Sequence, residues 1–142
     1  MNLTPLTLET ATALLSLANA HVWHMDHASG HLLADAATLA LWLDALPGPT
    51  QLPLAELRPL VHPSDWAALV GLCGPVVANG PQTATVRLRN RHGAWRWLKL
   101  CAQVVARAPE GRPTHSVGLV SDASARVRQN MHRQLQQTFD SA

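Results

Sequence analysis

Histidines and cysteines are the residues best able to do chemistry in this chain, and there are eight of the first and two of the second. His21, His24 and His27 fall three apart, a spacing that invites a metal-site reading. The segment that holds them reads as a strand, however, and strand alternation points His21 and His27 to one face and His24 to the other. No shared metal site is expected. His62-Pro63-Ser64-Asp65 brings a histidine close to a carboxylate. A helix start accounts for the same residues, with His62 at the cap, Pro63 at the first helical position and Asp65 in the first turn, where its charge suits the helix N-terminus. Cys73 and Cys101 are far apart and lack metal-ligand spacing. The chain has no glycine-rich phosphate loop, no Gly-x-Ser-x-Gly and no His-Glu-x-x-His. Asp26, Asp35 and His115 remain as acid–base candidates without an evident partner, so catalysis is not expected.

The elements that position these residues follow from periodicity. Thr4-Pro5 opens a helix over residues 5–20, with Leu8, Ala11, Leu15 and Ala18 at helical spacing. Residues 21–26 and 31–34 read as a hairpin turning at His27-Ala28-Ser29-Gly30. Residues 35–46 read as a helix with Asp35 as its cap, stopped by Pro47-Gly48-Pro49. Residues 53–60 form a proline-flanked helical turn. The next helix begins at His62-Pro63, buries Trp66, Leu69, Val70 and Cys73, weakens at Gly74-Pro75 and ends at Asn79-Gly80-Pro81. Residues 83–90, 94–107 and 114–121 read as a three-stranded antiparallel meander. A polar helix follows from near Asp122, with Val127, Met131, Leu135 and Phe139 four apart, a narrow stripe suited to pairing with another helix.

The 142 residues fit one domain, and 47% apolar content can fill one core. Only 14% are charged, which leaves apolar surface for a partner chain or neighbouring domain to cover. A net charge of +2 and a pI near 8.9 do not single out nucleic acid as a partner. Arg87, Arg89, Arg91 and Arg96 surround one hairpin and Arg126, Arg128 and Arg133 lie on the last helix, a dispersion typical of solvated faces. No signal peptide and no membrane-spanning run is read, so a cytoplasmic setting without membrane contact is expected. The abrupt stop within a polar helix suggests a fragment cut ahead of an output domain.

A hairpin, a helical excursion and a meander can close into one five-stranded antiparallel sheet with helices on one face, an α+β domain. In this order the elements and local motifs resemble the PAS superfamily, in its branch with a His-Pro-x-Asp helix start. The residues that carry the resemblance are His62-Pro63-Ser64-Asp65-Trp66, the hairpin Val86-Arg87-Leu88-Arg89-Asn90-Arg91-His92-Gly93-Ala94-Trp95-Arg96-Trp97-Leu98, and the ending Val117-Gly118-Leu119-Val120-Ser121-Asp122-Ala123-Ser124, similar to the family's PAC motif. Ser64 and Ala123-Ser124 depart from the usual residues, and the stretch from Asp35 to Leu60 matches loosely. The resemblance implies a flanking helix at 1–20, a PAS domain at 21–121 and a signalling helix at 122–142.

It also implies a sensor that holds a small molecule, or nothing, in its core, with Trp42, Trp66, Leu69, Cys73 and Trp97 as candidate pocket residues. The cofactor is left open. The light-sensing relatives use an Asn-Cys-Arg-Phe-type stretch that is missing here, and His62 and Cys73 are weak haem ligands by position. Asp122 and Ser124 stand at the strand-to-helix junction that passes a signal to an effector following in the chain, commonly a histidine kinase or a diguanylate cyclase. A homodimer through the terminal helices is expected. The alternative is a ligand-free interaction module. Which face of the long strand meets the core stays open, since Trp95, Trp97 and Cys101 alternate with Leu98, Leu100, Ala102 and Val104.

Overall fold

Six strands form one antiparallel sheet in the computed structural model, which describes residues 7–74 and 79–140. They are β1 (His21–Asp26), β2 (His31–Leu33), β3 (Gln51–Pro53), β4 (Gln82–Arg89), β5 (Trp95–Arg107) and β6 (Pro113–Asp122), in spatial order β3-β2-β1-β6-β5-β4. The long strands alternate, and the alternation settles their faces. Trp23, Met25, Val86, Leu88, Leu98, Leu100 and Val120 turn to one side and are buried. That side is covered by α2 (Ala36–Leu43), a 3-10 turn (Leu54–Leu57) and α3 (Trp66–Cys73), which add Leu39, Trp42, Leu57, Leu69, Leu72 and Cys73 to the core. Helices α1 (Leu8–Leu17) and α4 (Ser124–Asp140) flank the domain and expose most of their side chains.

Local chemistry fixes the connections. Thr7 caps α1 through its hydroxyl to the Thr10 N–H, and Asp35 caps α2 at the Thr38 N–H, 2.7 Å away. In the β4–β5 turn the Asn90 side chain accepts from the N–H groups of His92 and Ala94, and Gly93 takes φ +83°. Gly118 serves a different need. Its Cα faces the Trp23 ring so closely that any side chain there would collide with it.

Several expected boundaries move. The sheet has six strands rather than five, because Pro53 ends a short edge strand and only Leu54–Leu57 turns helically. The helix expected from His62-Pro63 begins at Trp66, since Pro63 to Asp65 form a turn and the Asp65 side chain caps nothing. α3 ends at Cys73, where the backbone of Gly74 is extended, and the expected stretch over residues 75–78 lies outside the described residues. The expected cap at Thr4-Pro5 lies outside the described residues. Arg96 is not on a solvated face, whereas Arg87 lies on the outer face and is partly exposed. Arg96 is buried, and Arg87 is committed to Asp65.

Candidate functional site

The interior is built around two tryptophans. Trp23 of β1 and Trp42 of α2 meet edge to face at 5.7 Å between ring centroids, both fully buried. Leu69 and Cys73 join them in the same core, and Trp66 packs against it half-buried beneath the Arg58 guanidinium. Burial pushes the Cys73 thiol up to about 12, so it is an uncharged thiol at neutral pH. Trp97 sits on the opposite face of the sheet from these four candidates, under the Arg87 guanidinium at 5.0 Å. Leu98, Leu100 and Ala102 are the inward set of β5.

Arg96 shares the inward phase, which a charged residue does not advertise. Its guanidinium donates to the carbonyls of Leu41 and Trp42, two of those left unpaired at the end of α2. Desolvation lowers its pKa from the ordinary value. The Nε atom of Arg96 and both indole Nε1 atoms of Trp23 and Trp42 are buried without a partner among the described residues.

The His-Pro-x-Asp residues serve the free edge of β4. Residues 60–62 run beside it, with Arg89 N–H donating to Leu60 O and His62 N–H to Arg87 O. The Asp65 carboxylate then accepts from the Arg87 backbone N–H at 2.8 Å and from its guanidinium at 2.8 and 2.9 Å. One side chain thus ends the pairing of an edge strand that would otherwise present open donors. The Arg87 contacts hold the Asp65 carboxyl below the usual carboxylate range. The His62 ring accepts from Ser64 N–H and lies 4.9 Å from the Trp95 ring, away from the core.

His27 makes a second clasp. Its Nδ1 lies 2.9 Å from Gly74 O and its Nε2 lies 2.7 Å from the Ser116 hydroxyl. A carbonyl only accepts, so Nδ1 carries the proton and Nε2 accepts from Ser116. Burial lowers the His27 pKa. His24 lies on the other strand face, and no group of three or more His, Cys, Asp or Glu is placed to hold a metal among the described residues.

The junction from β6 to α4 continues the sheet ladder. Beyond the Leu98–Asp122 pair, the next β5 residue, Trp97, has both backbone groups taken by the start of the helix. Its N–H donates to Ser124 Oγ at 3.0 Å, and its carbonyl accepts from Ala123 N–H at 2.8 Å. Asp122 Oδ1 accepts from Ser124 N–H at 2.8 Å. The two residues expected at this junction are therefore brought together, and they bolt α4 to the middle of the sheet.

Outside the sheet, Val22, Cys101, Val117 and Leu119 line an apolar groove of about 210 Å³ on the face away from the helices. Leu14 and Leu17 of α1 and Met131 and Leu135 of α4 are exposed, Leu17 at 84%. No helix among the described residues is long and apolar enough to cross a membrane.

A curled antiparallel sheet with short helices packed on one side and a helix leaving its central strand defines a fold class shared by several solved structures. A sequence model described as the PAS fold matches residues 48–120. The chain belongs to the PAS fold family. A sensory box histidine kinase/response regulator from Burkholderia thailandensis is 18% identical, with a TM-score of 0.71 over 90% of this chain and 95% of that one. The N-terminal domain of a diguanylate cyclase with a PAS/PAC sensor from Marinobacter aquaeolei is 18% identical, with a TM-score of 0.56 over 75% of this chain and 97% of that one. An RNA-binding light-oxygen-voltage receptor is 21% identical, with a TM-score of 0.57 over 87% of this chain, which spans 35% of that receptor. Among curated proteins, none matches the chain in sequence.

Proposed function

We propose that the chain is a regulatory module of a signalling protein, in which a change in the sheet is carried through α4 to an effector, and that it works as a dimer paired through its terminal helices. The observation that carries this reading is the pair of bonds between Trp97 and the first residues of α4. A shift of β5 moves the root of α4, and 17 residues of helix extend the displacement over about 25 Å. The exposed stripe of Met131 and Leu135 supports pairing with a second copy, because such a stripe is otherwise left in water. Solved neighbours from a histidine kinase and a diguanylate cyclase support those effector classes. Regulation would be a population shift between two arrangements of the helices, set by whichever ligand or partner binds one of them better.

A ligand-free interaction module is the second reading, and the core favours it. Trp23 pressed on Gly118 and edge-on to Trp42 fills the space between the sheet and α2 with protein. A guest beside Trp42, Leu69 and Cys73 would have to displace these rings. Native mass spectrometry of the purified protein separates the two readings. An excess mass released on denaturation supports a sensor with a core ligand, and the bare chain mass supports the interaction module.

The relay has its own test. Ser124→Ala removes the acceptor of the Trp97 N–H, at a cost of about 1 kcal/mol. Amide exchange of Trp97 and the first turn of α4 should accelerate while Leu98, Leu100 and Val120 stay protected. An unchanged exchange pattern in α4 would remove the basis for the relay.

A further inference from the structure

Arg96 and Trp97 are consecutive on β5 and turn to opposite faces, and each is bonded to a different helix. On the inner face the Arg96 guanidinium donates to the carbonyls of Leu41 and Trp42 at the end of α2. In the plane of the sheet, the N–H of the peptide group joining Arg96 to Trp97 donates to Ser124 Oγ at 3.0 Å, and the Trp97 carbonyl accepts from Ala123 N–H at 2.8 Å. The last turn of α2 and the root of α4 are therefore held by neighbouring residues of one strand. Burial opposes the charge of Arg96, and the carboxylates of Asp44 and Asp122 favour it. Asp44 is the C-cap of α2 and Asp122 the last residue of β6, so these carboxylates come from the same two places as the hydrogen bonds.

α2 has eight residues, too few to hold as a helix by itself. It depends on the Asp35 cap at its start and on Arg96 at its end, where the carbonyls have no following turn to bond. If α2 loosens, Arg96 loses the groups that hold its guanidinium in the interior, and the backbone at Arg96 and Trp97 is released to shift against Ser124. We propose that Arg96 couples α2 to α4, so that α2 is the element on which an input acts and the peptide group between Arg96 and Trp97 carries its displacement to the root of the exit helix. This rests on the relay reading and adds its input end. Trp42 against Trp23 offers a different route, from α2 through β1 and β6, which does not depend on Arg96.

The test is native-state hydrogen exchange on the full chain, read at the amides of Trp97, Ala123 and Val127, which bond Ser124 Oγ, Trp97 O and Ala123 O. Asp35→Ala removes the cap of α2 and should raise its open population about fivefold. The three amides should then exchange about three- to fivefold faster, the upper figure being complete transmission of the α2 opening. In an Arg96→Met background the same Asp35→Ala change should alter them by less than about 1.5-fold. A Ser124→Ala background leaves the core untouched and cuts the link at its other end, so it should at least halve the response of Val127, and it decides the matter if Arg96→Met does not fold. The proposal is overturned if Asp35→Ala leaves the three amides unchanged in the parent although Ser124→Ala alone accelerates them, an outcome in which the relay stands and α2 is not its input. It is overturned equally if the response is undiminished in both backgrounds, which would assign the route to Trp42 and Trp23. Unchanged exchange with Ser124→Ala alone would instead remove the relay reading, and this proposal with it.

Discussion

Replacing Gly118 with alanine probes the centre of the fold. An alanine Cβ would lie 2.1 Å from the Cys101 carbonyl oxygen and 2.6 Å from Cε2 and Cζ2 of Trp23. The carbonyl belongs to β5, which is paired on both sides by β4 and β6, so it cannot withdraw without opening a ladder. The Trp23 ring is held in turn against Trp42. Overpacking of this kind costs about 1–3 kcal/mol, and a clash with backbone places it at the top of that range. We expect a loss of about 3 kcal/mol in urea unfolding followed by tryptophan fluorescence and far-ultraviolet dichroism, with Tm lower by about 10 °C for a chain of this size. A double-mutant cycle with Trp23→Phe sharpens the test. Phenylalanine removes the second ring of the indole, with its Cζ2, but leaves the Cys101 carbonyl in place, so it should relieve only part of the alanine penalty. Stability of Gly118→Ala within about 0.5 kcal/mol of the parent would refute the packing argument, since that is the scale of an inconsequential surface change. Full relief by Trp23→Phe would show that the carbonyl is no obstacle.

Two further predictions follow from buried polar groups. Arg96→Met leaves the Leu41 and Trp42 carbonyls unpaired in the interior, and each such group costs about 1–3 kcal/mol. A single ammonium cannot reproduce the planar fork, so Arg96→Lys should recover less than half of that loss in the same unfolding assay. For His27, burial places the folded pKa below the ordinary 6.5. Between the two values the unfolded chain binds the extra proton, so stability falls as pH drops through about 6.5 toward the folded pKa. The urea midpoint should therefore decline between pH of about 7.5 and 5.5, and His27→Gln should flatten that decline. An identical slope in the variant would mean that His27 is not the responsible group.

The long strands were legible because Ala84, Val86 and Leu88 alternate with polar residues in β4 and because Arg91-His92-Gly93 and Pro109 to Pro113 mark the turns between the strands. Both β1 and the Asp35 cap of α2 were readable for the same reason, a local signal with no competitor. β3 has only three residues and contains Pro53, too short to show a period and open to a helical reading. The phase of β5 was undecidable from its own residues, because Trp95 and Trp97 argue for one face and Leu98 and Leu100 for the other. The answer came from outside the strand, as the end of α2 needed an arginine from the inward phase. Asp65 reads as a first-turn residue of a helix because a carboxylate near a helix start suits that place locally. Its actual partner lies 22 residues away on β4. Asp122 and Ser124 do stand where the last strand meets the last helix, although nothing in the sequence named Trp97 as the group Ser124 bonds. Trp23 falls inside the strand expected over residues 21–26, yet its role against Gly118 required the pairing of β1 with β6.

The chain arrives from α1 into β1 and departs from β6 into α4, and these two strands lie side by side, with His21 opposite Val120. Everything between is therefore a closed excursion whose two ends stand next to each other. A domain wired this way can be set into a run of helix, or taken out of it, without changing the separation of what lies before and after. Evolution can shuffle such a unit among unrelated outputs by moving one contiguous stretch of coding sequence. The constraint that travels with it is angular rather than linear: the Ser124 contact with Trp97 sets the rotation at which the departing helix starts, so a transplanted copy must meet its new helix in the correct phase of the turn.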